Sequence, residues 1–268
     1  MPETLELPSQ PPHKSADIPM EDNGVIRSET GLTGELFSRQ SLDQGWSLGS
    51  DAFNYICSLA ANRTYRSLIE FGSGRSTTGW VSALPGLVVT SFEHDREFCE
   101  DTKRQVVQLS LDDRVRVHYA PLCTVWIDGR PFQSYAPPRG LPLADIVVID
   151  GPPAHTRRGR EACLYYAYDH LRVGGTVVLD DASRPDEQQS VANWMAVYPG
   201  SFQMEWISVG HGLAVLYKTA HVPRKRMARA AFWDSYSVLA EKLVFGLKRS
   251  LALRLLGRSV SEAESGNK

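Results

Sequence analysis

A glycine turn between Glu70 and Ser76 is the feature of this sequence best suited to chemistry. The segment reads Glu-Phe-Gly-Ser-Gly-Arg-Ser and follows a short apolar run. Gly72 and Gly74 leave room for a bulky ligand to lie against the backbone, because a side chain at either position would fill that space. A carboxylate at Glu70 would repel a pyrophosphate and suits a ligand with a cationic end. The turn therefore predicts a site for a positively charged cofactor.

Further acidic residues stand where other predicted strands end. Glu93 follows Gly72 by 21 residues, the distance expected for an acid that binds ribose hydroxyls. Asp150 ends one apolar run, and Asp180 and Asp181 end the next. Ligands of open α/β sheets lie outside the carboxyl ends of the strands, so these side chains should meet at one edge. Three carboxylates at neighbouring strand ends repel one another, so bringing them together costs free energy unless a positive group shares the site.

Alternating strand-like and helix-like segments would position these acids. Continuous apolar runs such as 144–150 and 174–180 are typical of central parallel strands that are covered on both faces. The alternation predicts an α/β fold with a Rossmann-like, doubly wound and mostly parallel sheet. Strands are expected at 66–71, 87–92, 115–119, 144–150 and 174–180, and helices at 76–84, 95–110, 158–172 and 185–198.

Two more strand-like runs, at 202–209 and 213–218, close the pattern. Only three residues separate them, which is too short for a crossover helix, so the pair must be antiparallel. A seven-stranded sheet with a reversed last strand is therefore expected. An Asp-Gly pair at Asp128 and Gly129 predicts a small additional hairpin within 125–132.

Composition limits the class of protein. A chain of 268 residues with a net charge of -2 gives no electrostatic indication of nucleic-acid binding. The four cysteines have no paired spacing, so we interpret them as reduced core thiols of an intracellular, cytoplasmic protein. No run resembles a signal peptide or is long and apolar enough to span a bilayer.

The chain divides into five predicted segments. Residues 1–28 form a disordered leader rich in proline, serine and charge, and residues 29–63 form a helical lid. The ligand-binding domain covers residues 64–220. A basic helical extension covers residues 221–258, and residues 259–268 form a disordered tail.

The basic extension differs from the rest of the chain in character. Residues 222–258 contain nine lysines or arginines and only two acids, and leucines recur at four-residue spacing from Leu239 to Leu255. This pattern predicts a helix with one apolar face. Such a helix can pack on its own domain, pair with a second subunit in a homodimer, or lie on an anionic membrane surface. Binding of nucleic acid through it is not expected, because aromatic residues are sparse.

Taken together, these features resemble class I S-adenosylmethionine-dependent methyltransferases over roughly residues 47–219. The Glu-Phe-Gly-Ser-Gly loop matches the family's first motif, with Ser76 in place of the third glycine. Glu93 matches the ribose-binding acid, and the final antiparallel pair matches the reversed seventh strand. The Asp-Gly-Pro-Pro segment at 150–153 resembles a branch that acts on small molecules. The resemblance implies S-adenosyl-L-methionine as cofactor and a small-molecule acceptor, with oxygen favoured and nitrogen left open.

The resemblance also implies where the cofactor lies. It would cover the glycine turn, with its ribose on Glu93 and its adenine near residues 119–122. The implied cofactor-binding residues are Glu70, Gly72, Ser73, Gly74, Ser76, Glu93, Leu122 and Asp150.

The strand-end acids further resemble the metal site of catechol-type O-methyltransferases. A Mg²⁺ ion on Asp150 and Asp181, supported by Asp180, would lower the pKa of an acceptor hydroxyl and orient it. The family's asparagine after the second acid is Ala182 here. Asp181 is equally suited to cap the helix that starts near Pro185.

Without a metal, His155 or Asp150 would act as the base that removes the acceptor's proton. The catalytic candidates are therefore Asp150, His155 and Asp181. The arginines near His155, at positions 157, 158 and 160, would hold an anionic group of the substrate if their loop borders the acceptor pocket. A function of another class also fits the sequence, namely a non-catalytic cofactor-binding protein that recruits a partner or membrane through its basic tail.

Overall fold

The computed structural model describes residues 48–227, in which strands and helices alternate. The helices are α1 (Ser50–Asn62), α2 (Arg75–Ala83), α3 (Arg96–Gln108), α4 (Gly159–Ala167) and α5 (Pro185–Val197). The strands are β1 (Ser67–Phe71), β2 (Val88–Glu93), β3 (Val115–Tyr119), β4 (Leu122–Ile127), β5 (Arg130–Tyr135), β6 (Ala144–Ile149), β7 (Leu171–Leu179), β8 (Phe202–Ile207) and β9 (Leu213–Lys218). Short 3-10 turns occupy Ala154–Thr156 and Tyr168–His170.

Seven of these strands form one sheet in the order β3-β2-β1-β6-β7-β9-β8. The pairs among β3, β2, β1, β6 and β7 are parallel. Strand β9 is antiparallel to both of its neighbours, β7 and β8. The predicted Rossmann-like sheet of seven strands with a reversed last strand is confirmed.

Both faces of the sheet are covered, as the continuous apolar runs predicted. In β6, Val147 and Ile149 pack in the core cluster that includes α4 and α5. Ile146 and Val148 pack in the opposite cluster, which includes α1, α2 and α3. Successive side chains of a strand point to opposite faces, so a strand between two helical layers must be apolar throughout.

The predicted Asp-Gly hairpin is present and is longer than 125–132. Strands β4 and β5 pair from Leu122 opposite Tyr135 to Ile127 opposite Arg130. Both turn residues have positive φ, 52° at Asp128 and 78° at Gly129, as a two-residue turn of the primed type requires.

The segment from 158 to 180 differs from the expectation in where its elements begin and end. Helix α4 ends at Ala167 instead of residue 172, and β7 already begins at Leu171, which pairs with Ala144. The register then shifts before Thr176 pairs with Ile146. Gly174 has a φ of 88° within this irregular part of the strand.

Helix α1, which falls within the predicted lid, packs on the sheet. Phe53 stacks on Trp80 with ring centroids 4.4 Å apart, and Ile56 is fully buried in the same core. The limits of the five predicted segments stay predictions. The leader, the tail and the leucine repeat of the basic extension lie outside the described residues.

The first residues of the basic extension run back across α4. The amide of Val222 donates to Tyr168 Oη at 2.8 Å, and the amide of Lys225 donates to the carbonyl of Val197 at 2.9 Å. Arg224 pairs with Asp128 at the tip of the hairpin. Within residues 48–227, none of the helices combines the length and the apolar character needed to cross a membrane.

Candidate active site

The loops after β1 and β6 meet where the order of the sheet reverses. The amide of Gly72 donates to the carbonyl of Phe92 at 2.9 Å, and the amide of Gly151 donates to the carbonyl of Phe71 at 2.7 Å. A Cβ atom on Gly72 would lie 3.0 Å from the Gly151 nitrogen, and Gly72 has a φ of +107°. Only glycine fits at this position. Open α/β sheets bind ligands at this kind of switch point.

Glu70 lies beneath the turn and supports it from inside the protein. The residue is 1% exposed. Its carboxylate accepts hydrogen bonds from Ser76 Oγ at 2.7 Å, Thr77 Oγ1 at 2.6 Å, Trp80 Nε1 at 2.8 Å and Ser91 Oγ at 2.7 Å. Burial raises the pKa of Glu70, and these four donors oppose that rise. The polar atoms of Glu70 and Ser76 thus bind each other and fix the start of α2 against β1, whereas the cofactor contact expected of both residues stays a prediction.

Gly74 forms the open side of the turn. A Cβ atom built on it would meet no other atom within 4 Å. Its φ of 166° is extended backbone that any residue can adopt. Gly74 also directly precedes α2, and the N-terminus of a helix favours negative groups through its free amides and its dipole. A side chain at Gly74 would therefore not clash with the protein, but it would fill the space that a ligand on this turn needs.

Glu93 ends β2 beside the same turn. Its Oε2 accepts a hydrogen bond from the amide of Ser73 at 3.0 Å. Its Oε1 accepts from the amides of His94 at 2.7 Å and Asp95 at 2.8 Å. The carboxylate is thereby fixed next to the glycine turn, which is the placement expected of an acid that binds ribose hydroxyls.

The β4–β5 hairpin borders the crevice next to Glu93. Leu122, the expected adenine contact, begins β4 and pairs with Tyr135. Tyr135 is fully buried, and its Oη has no hydrogen-bond partner within residues 48–227. A Cβ atom on Gly151 would come within 2.1 Å of this oxygen. The sequence analysis missed Tyr135, although its position across the predicted hairpin from Leu122 could have indicated it.

Asp150, Asp180 and Asp181 come together at the ends of β6 and β7. One oxygen from each lies within 4.8 Å of the others. Arg160, from the first turn of α4, reaches this group and is 4% exposed. Its Nη2 lies 3.0 Å from Asp181 Oδ2 and 3.5 Å from Asp150 Oδ1. The positive group that three neighbouring carboxylates demand is therefore supplied by the protein itself.

The acids of this group differ from ordinary carboxyls in their affinity for protons. Burial raises the pKa of Asp150 well above its usual range, and the nearby Asp180 raises it further against the attraction of Arg160. Burial and the neighbouring Asp181 also raise the pKa of Asp180. A carboxyl group with a raised pKa holds a proton more readily than an ordinary one, so it is suited to exchange a proton with a bound acceptor.

Asp181 does not cap the helix that follows it. The N-cap of α5 is Arg184, without a side-chain hydrogen bond to the helix. Asp181 instead has a φ of 56° and points its carboxylate to Arg160 and to Arg184, whose Nη1 lies 2.8 Å from Asp181 Oδ2. A left-handed backbone at an aspartate costs energy, and such conformations cluster at functional sites.

The chain is similar to known proteins in sequence and in fold. Residues 69–182, from β1 through the end of β7, match a family model described as a methyltransferase domain. Over these residues, the chain is similar to the methyltransferase-domain family. Its sheet is that of the class I S-adenosylmethionine-dependent methyltransferases, which confirms the resemblance seen in the sequence.

The solved structures to which the chain is similar have low sequence identity to it. The O-methyltransferase TomG from Streptomyces achromogenes, solved with S-adenosylmethionine, is 19% identical, with a TM-score of 0.50 over 65% of this chain and 82% of that chain. An O-methyltransferase from Bacillus cereus, solved with S-adenosylhomocysteine, is 14% identical, with a TM-score of 0.48 over 67% and 86%. No curated protein matches the chain at a significant level.

The arginines after β6 do not form the expected anion clamp of the methyltransferase. Arg158 is buried and pairs with the fully buried Glu161, its Nε lying 3.0 Å from Glu161 Oε2. Arg160 faces the acids at the strand ends. Arg157 is partly exposed and lies 3.8 Å from Asp186. Internal carboxylates thus occupy the two buried guanidinium groups, which corrects the substrate-binding interpretation of this loop.

His155 differs from Asp180 and Asp181 in its exposure to solvent. It belongs to the 3-10 turn at Ala154–Thr156 and is exposed to solvent. Its role as a catalytic base stays a prediction. Asp150 instead is partly buried and lies beside two other carboxylates and Arg160, an environment of the kind that commonly marks catalytic groups.

Proposed function

We propose that this methyltransferase transfers the methyl group of S-adenosylmethionine to an oxygen atom of a small molecule. The choice of oxygen draws on TomG, which is described as an O-methyltransferase involved in tomaymycin synthesis. The proposal depends on one observation above all. The turn after β1 is closed to side chains at Gly72 but open at Gly74, directly beside the fixed carboxylate of Glu93.

The residues at the switch point fit S-adenosylmethionine. The space over Gly74 is free of protein atoms for 4 Å around a hypothetical Cβ, so a flat nucleoside can approach the backbone. Glu93 offers carboxylate oxygens to ribose hydroxyls. The Tyr135 hydroxyl is a buried polar group that the described protein leaves without a partner, so a ligand or a water molecule in the crevice would supply one.

Methyl transfer requires little covalent chemistry from the protein itself. When bound, the cofactor supplies a methyl group on a positive sulfur, and this methyl forms a C–O bond with the acceptor as the S–C bond breaks, leaving S-adenosylhomocysteine. The chain must align the two partners, exclude water and accept the hydroxyl proton. We assign that proton to Asp150, which ends β6 at the crevice and has a raised pKa.

A magnesium ion is not part of this proposal. The three acids that would hold it are already in contact with Arg160, and the position of the expected asparagine is the buried, apolar Ala182. The donor set therefore does not fit a divalent ion, and we route no step through one.

The experiment that tests the cofactor site compares two glycines. Gly74 and Gly49 both directly precede a helix, both have open space around a hypothetical Cβ, and neither has a left-handed φ. Isothermal titration calorimetry with S-adenosylhomocysteine should show binding to the wild type and to Gly49→Leu, but none to Gly74→Leu. Circular dichroism should show that both variants remain folded. Equal affinity of Gly74→Leu and the wild type would refute the proposed cradle.

Turnover separates the proposed enzyme from a non-catalytic cofactor-binding protein. Incubation with cell extract and isotopically labelled methyl donor should yield a labelled small molecule, and its susceptibility to O-demethylation chemistry should distinguish oxygen from nitrogen acceptors. Tight cofactor binding without any labelled product would favour the non-catalytic alternative. The cytoplasmic location, the homodimer and the membrane contact through residues 222–258 stay predictions.

A further inference from the structure

We infer that Arg160 is the built-in cation of the methyl-transfer site and takes the place of a divalent metal there. The inference concerns the acidic cluster, defined as Asp150, Asp180, Asp181 and Glu187. It rests on the proposed function, because it assigns the counter-charge of the same site. It makes Arg160 a positioning residue, which acts by holding Asp150 and Asp181 in place.

The guanidinium of Arg160 joins three of the elements that meet at this edge of the sheet. Its Nη1 donates to the carbonyl of Asp180 at 2.9 Å, and its Nε donates to the carbonyl of Pro152 at 3.2 Å. Its Nη2 lies close to Asp181 and Asp150, and its Nε lies 3.8 Å from Glu187 Oε1. The loop after β6, the end of β7 and the first turn of α5 are therefore tied to one buried cation.

A second arginine contributes to the charge balance of the acidic cluster. Arg184 Nη1 lies 2.8 Å from Asp181 Oδ2, the oxygen that Arg160 also contacts, and 3.9 Å from Glu187 Oε1. Arg184 is partly exposed, whereas Arg160 is buried. Two positive charges thus compensate the cluster, and the buried one lies among the carboxylates.

A divalent ion at this place would compete with the guanidinium for the same oxygens. Magnesium takes oxygen ligands at about 2.1 Å in octahedral geometry. One oxygen each of Asp150 and Asp181 already faces Arg160 Nη2, and a metal ion among these carboxylates would lie close to that positive charge, where like charges inside a protein repel strongly. Ala182 provides no side-chain oxygen. The cluster therefore contains the acids of a metal site. The guanidinium of Arg160 lies where the ion would bind, and residue 182 offers no side-chain oxygen as a further ligand.

Arg158 provides a matched control for Arg160. Both arginines are buried, and they lie two residues apart at the start of α4. Arg158 contacts Glu161, which also pairs with Arg130 on the hairpin. Loss of either arginine removes a buried ion pair, but only the loss of Arg160 uncovers the acidic cluster.

The test uses Mn²⁺ as the probe and the full chain with S-adenosylhomocysteine present, because electron paramagnetic resonance counts bound and free Mn²⁺ directly. The wild type should show no stoichiometric Mn²⁺ binding, and its methyl transfer should be unchanged by a chelator. Arg160→Met should gain Mn²⁺ affinity by at least about tenfold over the wild type, since the repelling charge is gone. Arg158→Met should gain none. Arg160→Lys keeps a positive charge and should stay without Mn²⁺.

Several outcomes would overturn the inference. One is a wild type that binds one Mn²⁺ per chain and loses it in Asp181→Asn, and another is a gain of affinity in Arg158→Met equal to that in Arg160→Met. If Arg160→Met does not fold, the wild-type titration and the Arg160→Lys variant still decide the question. Calorimetry of S-adenosylhomocysteine on the same samples, without metal, tests the proposed function separately. Absent cofactor binding would thus count against the methyl-transfer proposal and not against the role of Arg160.

Discussion

Gly72 and Gly151 pack backbone against backbone across the switch point of the sheet. A Cβ atom on Gly72 would lie 3.0 Å from the Gly151 nitrogen, and one on Gly151 would lie 3.2 Å from Gly72 Cα. This contact joins the loops after β1 and β6, so the cofactor turn and the acid Asp150 are held in a fixed relation. The fold thereby sets the distance between the two halves of the proposed site.

We expect Gly72→Ala to lower the unfolding free energy by more than the cost of placing a side chain on a left-handed backbone. A left-handed backbone costs a residue with a side chain about 1–2 kcal/mol, and the contact with Gly151 adds steric strain. Gly140→Ala is the control, because Gly140 also has a positive φ, of +67°, but open space around it. Chemical denaturation should show a larger loss of unfolding free energy for Gly72→Ala. Equal losses in the two variants would contradict the close packing of the loops.

Glu70→Gln should reduce stability more than it reduces cofactor affinity. The buried carboxylate accepts four hydrogen bonds, and an amide keeps only one strong acceptor, so we expect a loss of about 1–3 kcal/mol in unfolding free energy. Denaturation and calorimetry with S-adenosylhomocysteine on the same samples measure the two effects. An unchanged stability together with abolished binding would restore direct cofactor contact by Glu70.

Asp150→Asn and His155→Gln distinguish the two candidate bases. If Asp150 accepts the proton, Asp150→Asn should lower kcat by about 10²–10⁴-fold. Circular dichroism should show that this variant remains folded. His155→Gln should keep most of the turnover, because His155 is exposed. The opposite pattern of rates would assign the proton transfer to His155.

Glu187 should give stability a defined dependence on pH. Burial raises the pKa of Glu187 from 4.5 to about 7, although Arg160 and Arg184 oppose the rise. Between these two values the folded protein binds more protons than the unfolded chain, so the contribution of Glu187 to stability is fully present below pH 4.5 and is lost as the pH rises through 7. The loss amounts to about 3 kcal/mol at 1.36 kcal/mol per pKa unit.

The variant Glu187→Gln removes this dependence, because glutamine does not titrate. The difference in unfolding free energy between the variant and the wild type should shift in favour of the variant from pH 4.5 to 7 and stay constant above that range. Denaturation curves at several pH values measure it. A difference that does not vary with pH would show that Glu187 has an ordinary pKa.

Much of the fold was predictable because it follows from local pattern. The apolar runs at β6 and β7 predicted buried parallel strands, and both are covered on two faces. The short link between β8 and β9 required the antiparallel pair. The limits of α4 and β7 were wrong, because strand pairing with Ala144 and not the hydrophobic pattern decides where β7 begins.

The site was predictable only in part. The sequence placed Asp150 and Asp181 at neighbouring strand ends, since parallel strands end at one edge. It did not indicate that Glu70 points inward, because a carboxylate beside a glycine turn can point either way, and the donors that hold it come from α2 and β2. It also missed Tyr135, whose burial depends on how the hairpin packs against the loop of Gly151.

The sequence by itself determined the strand-turn-helix around Gly72, the order of elements and the demand for a positive charge near three carboxylates. Only the tertiary structure decided which group supplies that charge. Arg158 and Arg160 are near neighbours in the chain, but Arg158 lies directly before α4 and Arg160 lies in its first turn, so one reaches Glu161 and the other reaches Asp181. Which acid each arginine meets depends on how α4 lies against the sheet, and that orientation is set by packing of the whole domain.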